Sequence, residues 1–169
     1  MSLRSKRCTT DWTPNWLGDL AWWHYLAGEY PTALELIKEA IQQQPSDSRY
    51  HLARAWIEIQ QRRLADAIDS LQEDWVNPQQ TAATYTAGSL RSYPGSPQSE
   101  RAMALAVLNW QQQNPDGALQ QFEVAIAGEP EWQNSRWVQA LYSPMISESV
   151  RQMQIERDRR KRVNMAHAR

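Results

Sequence analysis

A chain of 169 residues, 41% apolar and 22% charged, has the length of one ordinary domain and enough apolar side chains to build a core. No apolar run approaches the ~18 residues that span a bilayer, and the single cysteine, Cys8, excludes an internal disulfide and a cysteine-built zinc cluster. The net charge of −1 hides two basic ends on an acidic body: residues 1–10 carry +3, residues 151–169 carry +5 and residues 11–150 carry −9.

In chain order, residues 1–10, "MSLRSKRCTT", form a basic arm that leads into no hydrophobic segment. No secretory signal is expected there, and a reducing cytoplasm is the expected compartment. Leu17, Leu20, Ala21, His24 and Ala27 then recur at helical spacing. Gly28 ends that helix, because glycine accepts the left-handed conformation of a helix stop. A second helix follows, with Ala33, Leu34, Ile37, Ala40 and Ile41 on one face and Pro45 as its close. Trp22 and Trp23 are adjacent, so they sit about 100° apart on the first helix and cannot both face one core.

A shift of 34 residues brings the unit back: Ala21-Trp22 falls on Ala55-Trp56, Tyr30 on Leu64, Ala33 on Ala67 and Ile37 on Leu71. A third copy carries Leu105, Ala106, Ala118, Phe122, Ala125, Ile126 and Pro130. In the first copy, Leu20, Ala21, Gly28, Tyr30, Ala33, Ile37, Ala40 and Pro45 give a series of large, small, turn, aromatic, small, large, small and proline. That series resembles the tetratricopeptide repeat family. The second copy departs from it at Arg54, at Arg62 in place of the turn glycine, and at Asp74; the third lacks the turn aromatic.

The resemblance implies an all-α chain, a right-handed α-solenoid of helix–turn–helix repeats. Residues 11–155 make the repeat domain, with repeats at about 14–47, 48–79 and 99–132. An irregular insertion at 77–98 is read as an extra helix near 78–91 or an ordered loop. Capping helices occupy 133–155, with a stripe of Ile146, Val150 and Met153, and a basic tail occupies 156–169. Small side chains at Ala21 and Ala33 let paired helices approach closely.

In proteins similar to this one the first helix of each repeat lines a concave groove. Carried over copy by copy, the partner-binding face takes Trp22 and Tyr25 from the first repeat and Arg49, Leu52, Trp56 and Ile59 from the second. The third supplies Arg101, Val107 and Trp110. Trp22 then looks into the groove beside Trp56, and Trp23 leans toward the N-terminal segment holding Trp12 and Trp16. The lysines and asparagines with which some family members grip a peptide carboxylate are missing: Gly18, Trp22, Ala53, Arg101 and Ala104 stand there instead. The groove is expected to be aromatic and to bury apolar side chains of a protein segment.

Chemistry is sparse. His24 stands at a packing position, while His51 and His167 have no ligand at metal spacing. The six glycines are scattered and form no phosphate loop. No nucleophile–base pair can be nominated, so no enzyme, no metal and no small-molecule cofactor are expected. The expected function is a non-catalytic protein-binding module, acting as adaptor, assembly factor or chaperone, with a homodimer as one form of partner. A chaperone of the type III secretion class is the alternative; its regular repeats are not matched by the 77–98 insertion. Contact with nucleic acid or membrane through the basic tail ranks lower, since "RDRRKR" has no interleaved aromatics.

Overall fold

The structure, a computed structural model, describes residues 14–72, 97–128, 130 and 144–167. Among these, seven helices are found and no strand: α1 (Pro14–Leu26), α2 (Tyr30–Gln43), α3 (Ser48–Gln60), α4 (Leu64–Gln72), α5 (Pro97–Gln111), α6 (Pro115–Gly128) and α7 (Pro144–His167). Four of them begin on proline, whose fixed φ and missing N–H suit a first helical position. The helix or loop expected near 78–91, and the part of the capping region before Pro144, lie outside the described residues.

Three antiparallel hairpins result, α1/α2, α3/α4 and α5/α6, each packed on the next, with α7 against α5 and α6. Close approach within each hairpin comes from one pair of alanines twelve residues apart: Ala21/Ala33, Ala55/Ala67 and Ala106/Ala118. All six have at most 1% of their surface exposed.

Every hairpin turns in the same way. Gly28, Arg62 and Gln113 take the left-handed conformation, with φ of 82°, 60° and 61°. Each is followed by a residue whose N–H reaches back five residues: Glu29 to the His24 carbonyl (2.8 Å), Arg63 to Glu58 (2.9 Å) and Asn114 to Asn109 (2.9 Å). These are Schellman closures, and they satisfy carbonyls that a helix end leaves without partners. The third hairpin adds a side-chain cap, since Asn114 Oδ1 accepts from the Gly117 N–H at 3.1 Å.

The core has two parts. The first joins α1 and α2 to one face of α3 through Leu17, Ala21, Ile37, Tyr50, Ala53 and Ile57. The second joins the other face of α3 (Leu52, Ala55, Trp56, Ile59) to α4, α5, α6 and α7. Helix α3 therefore lies between two cores and buries ten of its thirteen residues. At the far end, Ile146, Val150 and Met153 of α7 are buried in the cluster that contains Phe122 and Ile126. Helix α7 then continues unbroken through residue 155 to His167. No element ends at the expected boundary between a docked cap and a free tail.

Candidate functional site

Family position and actual exposure part company in all three repeats, most fully in the middle one. Of the nine residues expected on the groove face, five are interior: Tyr25 (3% exposed), Leu52 (1%), Trp56, Ile59 and Val107 (0% each). As an open groove lining, these five are corrected. The first-helix side of an array stays open only where neighbouring helices leave it uncovered, and α3 is enclosed by α1, α2, α4 and α5. Trp22 and Trp56 do not stack. Trp22 packs on the first cluster and Trp56 belongs to the second.

Trp56 instead makes a buried polar contact: its indole N–H donates to Glu100 Oε1 at 3.1 Å. Burial raises the Glu100 carboxyl from its usual 4.5 to about 7, and the indole hydrogen bond offsets part of that rise. A second buried acid, Glu58, accepts from Arg54 Nε (2.9 Å) and Ser70 Oγ (2.7 Å), tying α3 to α4. Neither acid stands out in the sequence, where each reads as one more charged residue on a soluble helix.

Four expected residues keep partial exposure: Trp22, Arg49, Arg101 and Trp110. Trp22 stacks on Tyr25, ring centroids 4.6 Å apart at 23°, and Tyr25 meets Tyr30 at 5.8 Å. The first repeat thus presents an aromatic ladder whose outer members, Trp22 and Tyr30, are half-buried. Both arginines are already engaged in the fold. Arg49 grips Asp47, the N-cap of α3, through Nε at 2.8 Å and again through a second guanidinium nitrogen. Arg101 Nε donates to the Leu71 carbonyl at 2.7 Å, in the last turn of α4. These side chains hold helix ends.

The histidines occupy structural positions. His24 Nδ1 lies 2.5 Å from Glu29 Oε2 across the first turn. His51 Nε2 lies 2.6 Å from the Pro45 carbonyl oxygen, and because a carbonyl only accepts, that nitrogen carries the proton. Among the described residues, no group of three or more His, Cys, Asp or Glu is placed to hold a metal ion. Nor, among them, is any helix long and apolar enough to cross a membrane.

The basic C-terminal residues are partly engaged. Arg157 Nε lies 2.5 Å from Glu123 Oε1, and Arg160 Nη1 lies 2.6 Å from Asp116 Oδ1, both partners being on α6. The Arg157 guanidinium holds the Glu123 carboxyl below the usual carboxylate range.

In comparisons with known proteins, residues 19–82 match the family model described as tetratricopeptide repeat, a span that starts in α1 and includes α2 to α4. No curated protein and no solved structure matches the chain significantly.

Proposed function

We propose that this chain, a member of the tetratricopeptide repeat family through residues 19–82, is a non-catalytic module that binds a segment of another protein. Repeats of this family mediate protein–protein interactions, and the adaptor, assembly-factor or chaperone role is the finer reading offered here. The observation that carries it is the pair of half-buried tryptophans on first helices, Trp22 on α1 and Trp110 on α5. Half-buried tryptophans backed by a packed core suit the anchors of an interface, because they offer apolar area at little cost in conformational entropy.

Affinity capture with the wild-type chain and with Trp22→Ala and Trp110→Ala tests this reading, each variant first shown to melt like the wild type. Loss of the same captured protein from both variants supports it. Unchanged capture by both overturns it. The type III secretion-type chaperone is a second reading, supported by the three helical hairpins among the described residues. The nucleic-acid and membrane reading ranks below both, since Arg157 and Arg160 are paired with acids of α6.

A further inference from the structure

Three consecutive side chains fasten the first turn of α5 to three different helices. Ser99, 4% exposed, lies against the end of α6, so close that a Cβ on Gly128 would fall 2.0 Å from its Oγ. Glu100, 3% exposed, reaches toward α3 and accepts the Trp56 indole N–H at 3.1 Å. Arg101 Nε holds the Leu71 carbonyl at the end of α4.

The middle fastening is the one that a proton can change. Helices α3, α4, α6 and α7 pack against α5, and their charged groups are taken up elsewhere. On α3, Arg49 binds Asp47 and Arg54 binds Glu58, while His51 meets the Pro45 carbonyl. On α4, Asp66 pairs with Arg63 and Asp69 is exposed. The acids of α6 pair with Arg157 and Arg160 of α7, whose remaining charges are exposed or paired within that helix. Glu100 therefore has an indole donor and no cation among the described residues. Desolvation outweighs the pull of a helix N-terminus on a carboxylate, and the acid ionises only at about pH 7.

An ionised carboxylate so placed must be wetted. Swinging the hairpins apart would strip Leu52, Trp56, Ile59 and Val107 from their packing, all of them at most 1% exposed. Uncoiling the first turn of α5 gives up far less: the backbone hydrogen bonds that residues 101–104 donate to the carbonyls of 97–100. The local route is the cheaper one.

We propose that Glu100 is a proton-operated latch on this turn: as the neutral acid it holds the turn against Trp56, and as the carboxylate it carries the turn out into water. The neutral acid keeps an acceptor for the indole, so closing requires no other partner. Opening uncovers an edge of Trp56 and releases Arg101 from the Leu71 carbonyl. Both stand at groove positions by family pattern, so the chain offers more of that face above neutral pH than below it. The latch is independent of the partner-binding reading above, which uses Trp22 and Trp110.

Residue-resolved amide hydrogen exchange of the full chain, from pH 5 to pH 8, tests the proposal once the intrinsic exchange rate is divided out. The opened turn carries a carboxyl at its usual 4.5 and the closed turn one at about 7. Linkage then raises the opening constant of the 101–104 amides by roughly 50- to 100-fold across this range, flattening above pH 7. Glu100→Gln, which keeps an acceptor and cannot ionise, should abolish the rise. Amides of residues 107–110, in the second half of α5, should exchange more slowly than those of 101–104 at every pH. A wild-type chain without the rise overturns the proposal, as does a rise that survives in Glu100→Gln. Exchange of 101–104 at the same rate as 107–110 also overturns it, since the helix then opens only as a whole. That last contrast is read in the wild-type chain and does not depend on the variant folding.

Discussion

The Trp56 indole and the Glu100 carboxylate, 44 residues apart in sequence, meet at 3.1 Å in the interior between α3 and α5. The pair joins the middle hairpin to the third through a polar contact inside an apolar cluster, and its acid is poorly solvated. The folded chain raises the Glu100 carboxyl from its usual 4.5 to about 7. Between those values the native state holds a proton that the unfolded chain has released. The resulting stability is fully present below about pH 4.5 and lost as pH rises through about 7, a change of about 3 kcal/mol in all. Glu100→Gln, which keeps an acceptor for the indole, should flatten this dependence and be the more stable protein at pH 8. Urea denaturation at pH 5 and pH 8 measures it, and equal slopes in the two proteins would count against the assignment.

Truncating Trp56 gives a separate expectation, because the residue is 0% exposed. Trp56→Ala should cost about 3–5 kcal/mol of folding stability through the cavity it leaves. Trp56→Phe refills most of that volume but removes the donor to Glu100. Its penalty should therefore be larger at pH 8, where the carboxyl ionises, than at pH 5. A penalty independent of pH would mean that the indole N–H contributes nothing to holding the charged form.

Much of the framework is visible in the amino-acid order, and the reason is local geometry. The alanine pairs Ala21/Ala33, Ala55/Ala67 and Ala106/Ala118 mark the close approaches, and Ile146, Val150 and Met153 mark the docked face of α7. What the order of residues does not fix is which side of a helix its neighbours finally enclose. Family position points Trp56 into an open groove, yet it sits in a core, because α3 is covered on two faces. The sequence of α3, "SRYHLARAWIEIQ", carries a usable signal: Tyr50 and Ile57 lie on one side of the helix and Leu52, Trp56 and Ile59 on another, as expected of a helix covered on two faces. Glu58 and Glu100 left no such mark. Their burial depends on Arg54, Ser70 and Trp56, and only folding brings Ser70 and Trp56 to them.

The left-handed turn residues make a paired prediction. At Gly28, φ is +82° and a Cβ would meet nothing within 4 Å, so Gly28→Ala loses conformational energy alone, about 1 kcal/mol. Arg62 and Gln113 bear that strain already. Arg62→Gly and Gln113→Gly should each stabilise the chain by about 0.5–1 kcal/mol, after allowing for glycine's extra freedom when unfolded. Thermal melts of the three variants check the signs, and a destabilised Arg62→Gly would mean that its side chain holds the turn in some other way.

The last helix divides into two halves of different strength. Ile146, Val150 and Met153 are at most 1% exposed, and burying three such side chains contributes roughly 5–9 kcal/mol at most. Beyond Ile155 the inward face of α7 is made by Arg157 and Arg160 against Glu123 and Asp116, where the acids are 48% and 82% exposed. Exposed ion pairs are worth about 0–1 kcal/mol each and fade with salt. Cutting the chain after Ile155 should therefore lower the melting temperature by only a few degrees at low ionic strength and less in high salt. Cutting after Tyr142 removes the apolar anchors, exposes Phe122 and Ile126, and should cause unfolding or aggregation. Acid acts in the same direction as salt. Arg157 holds the Glu123 carboxyl below its usual value, so this pairing is present above the ordinary carboxylate range and is lost as pH falls through the depressed value. If removing residues 156–169 unfolds the chain even in high salt, the distal half of α7 is held by packing, and the ion pairs with α6 are incidental to it.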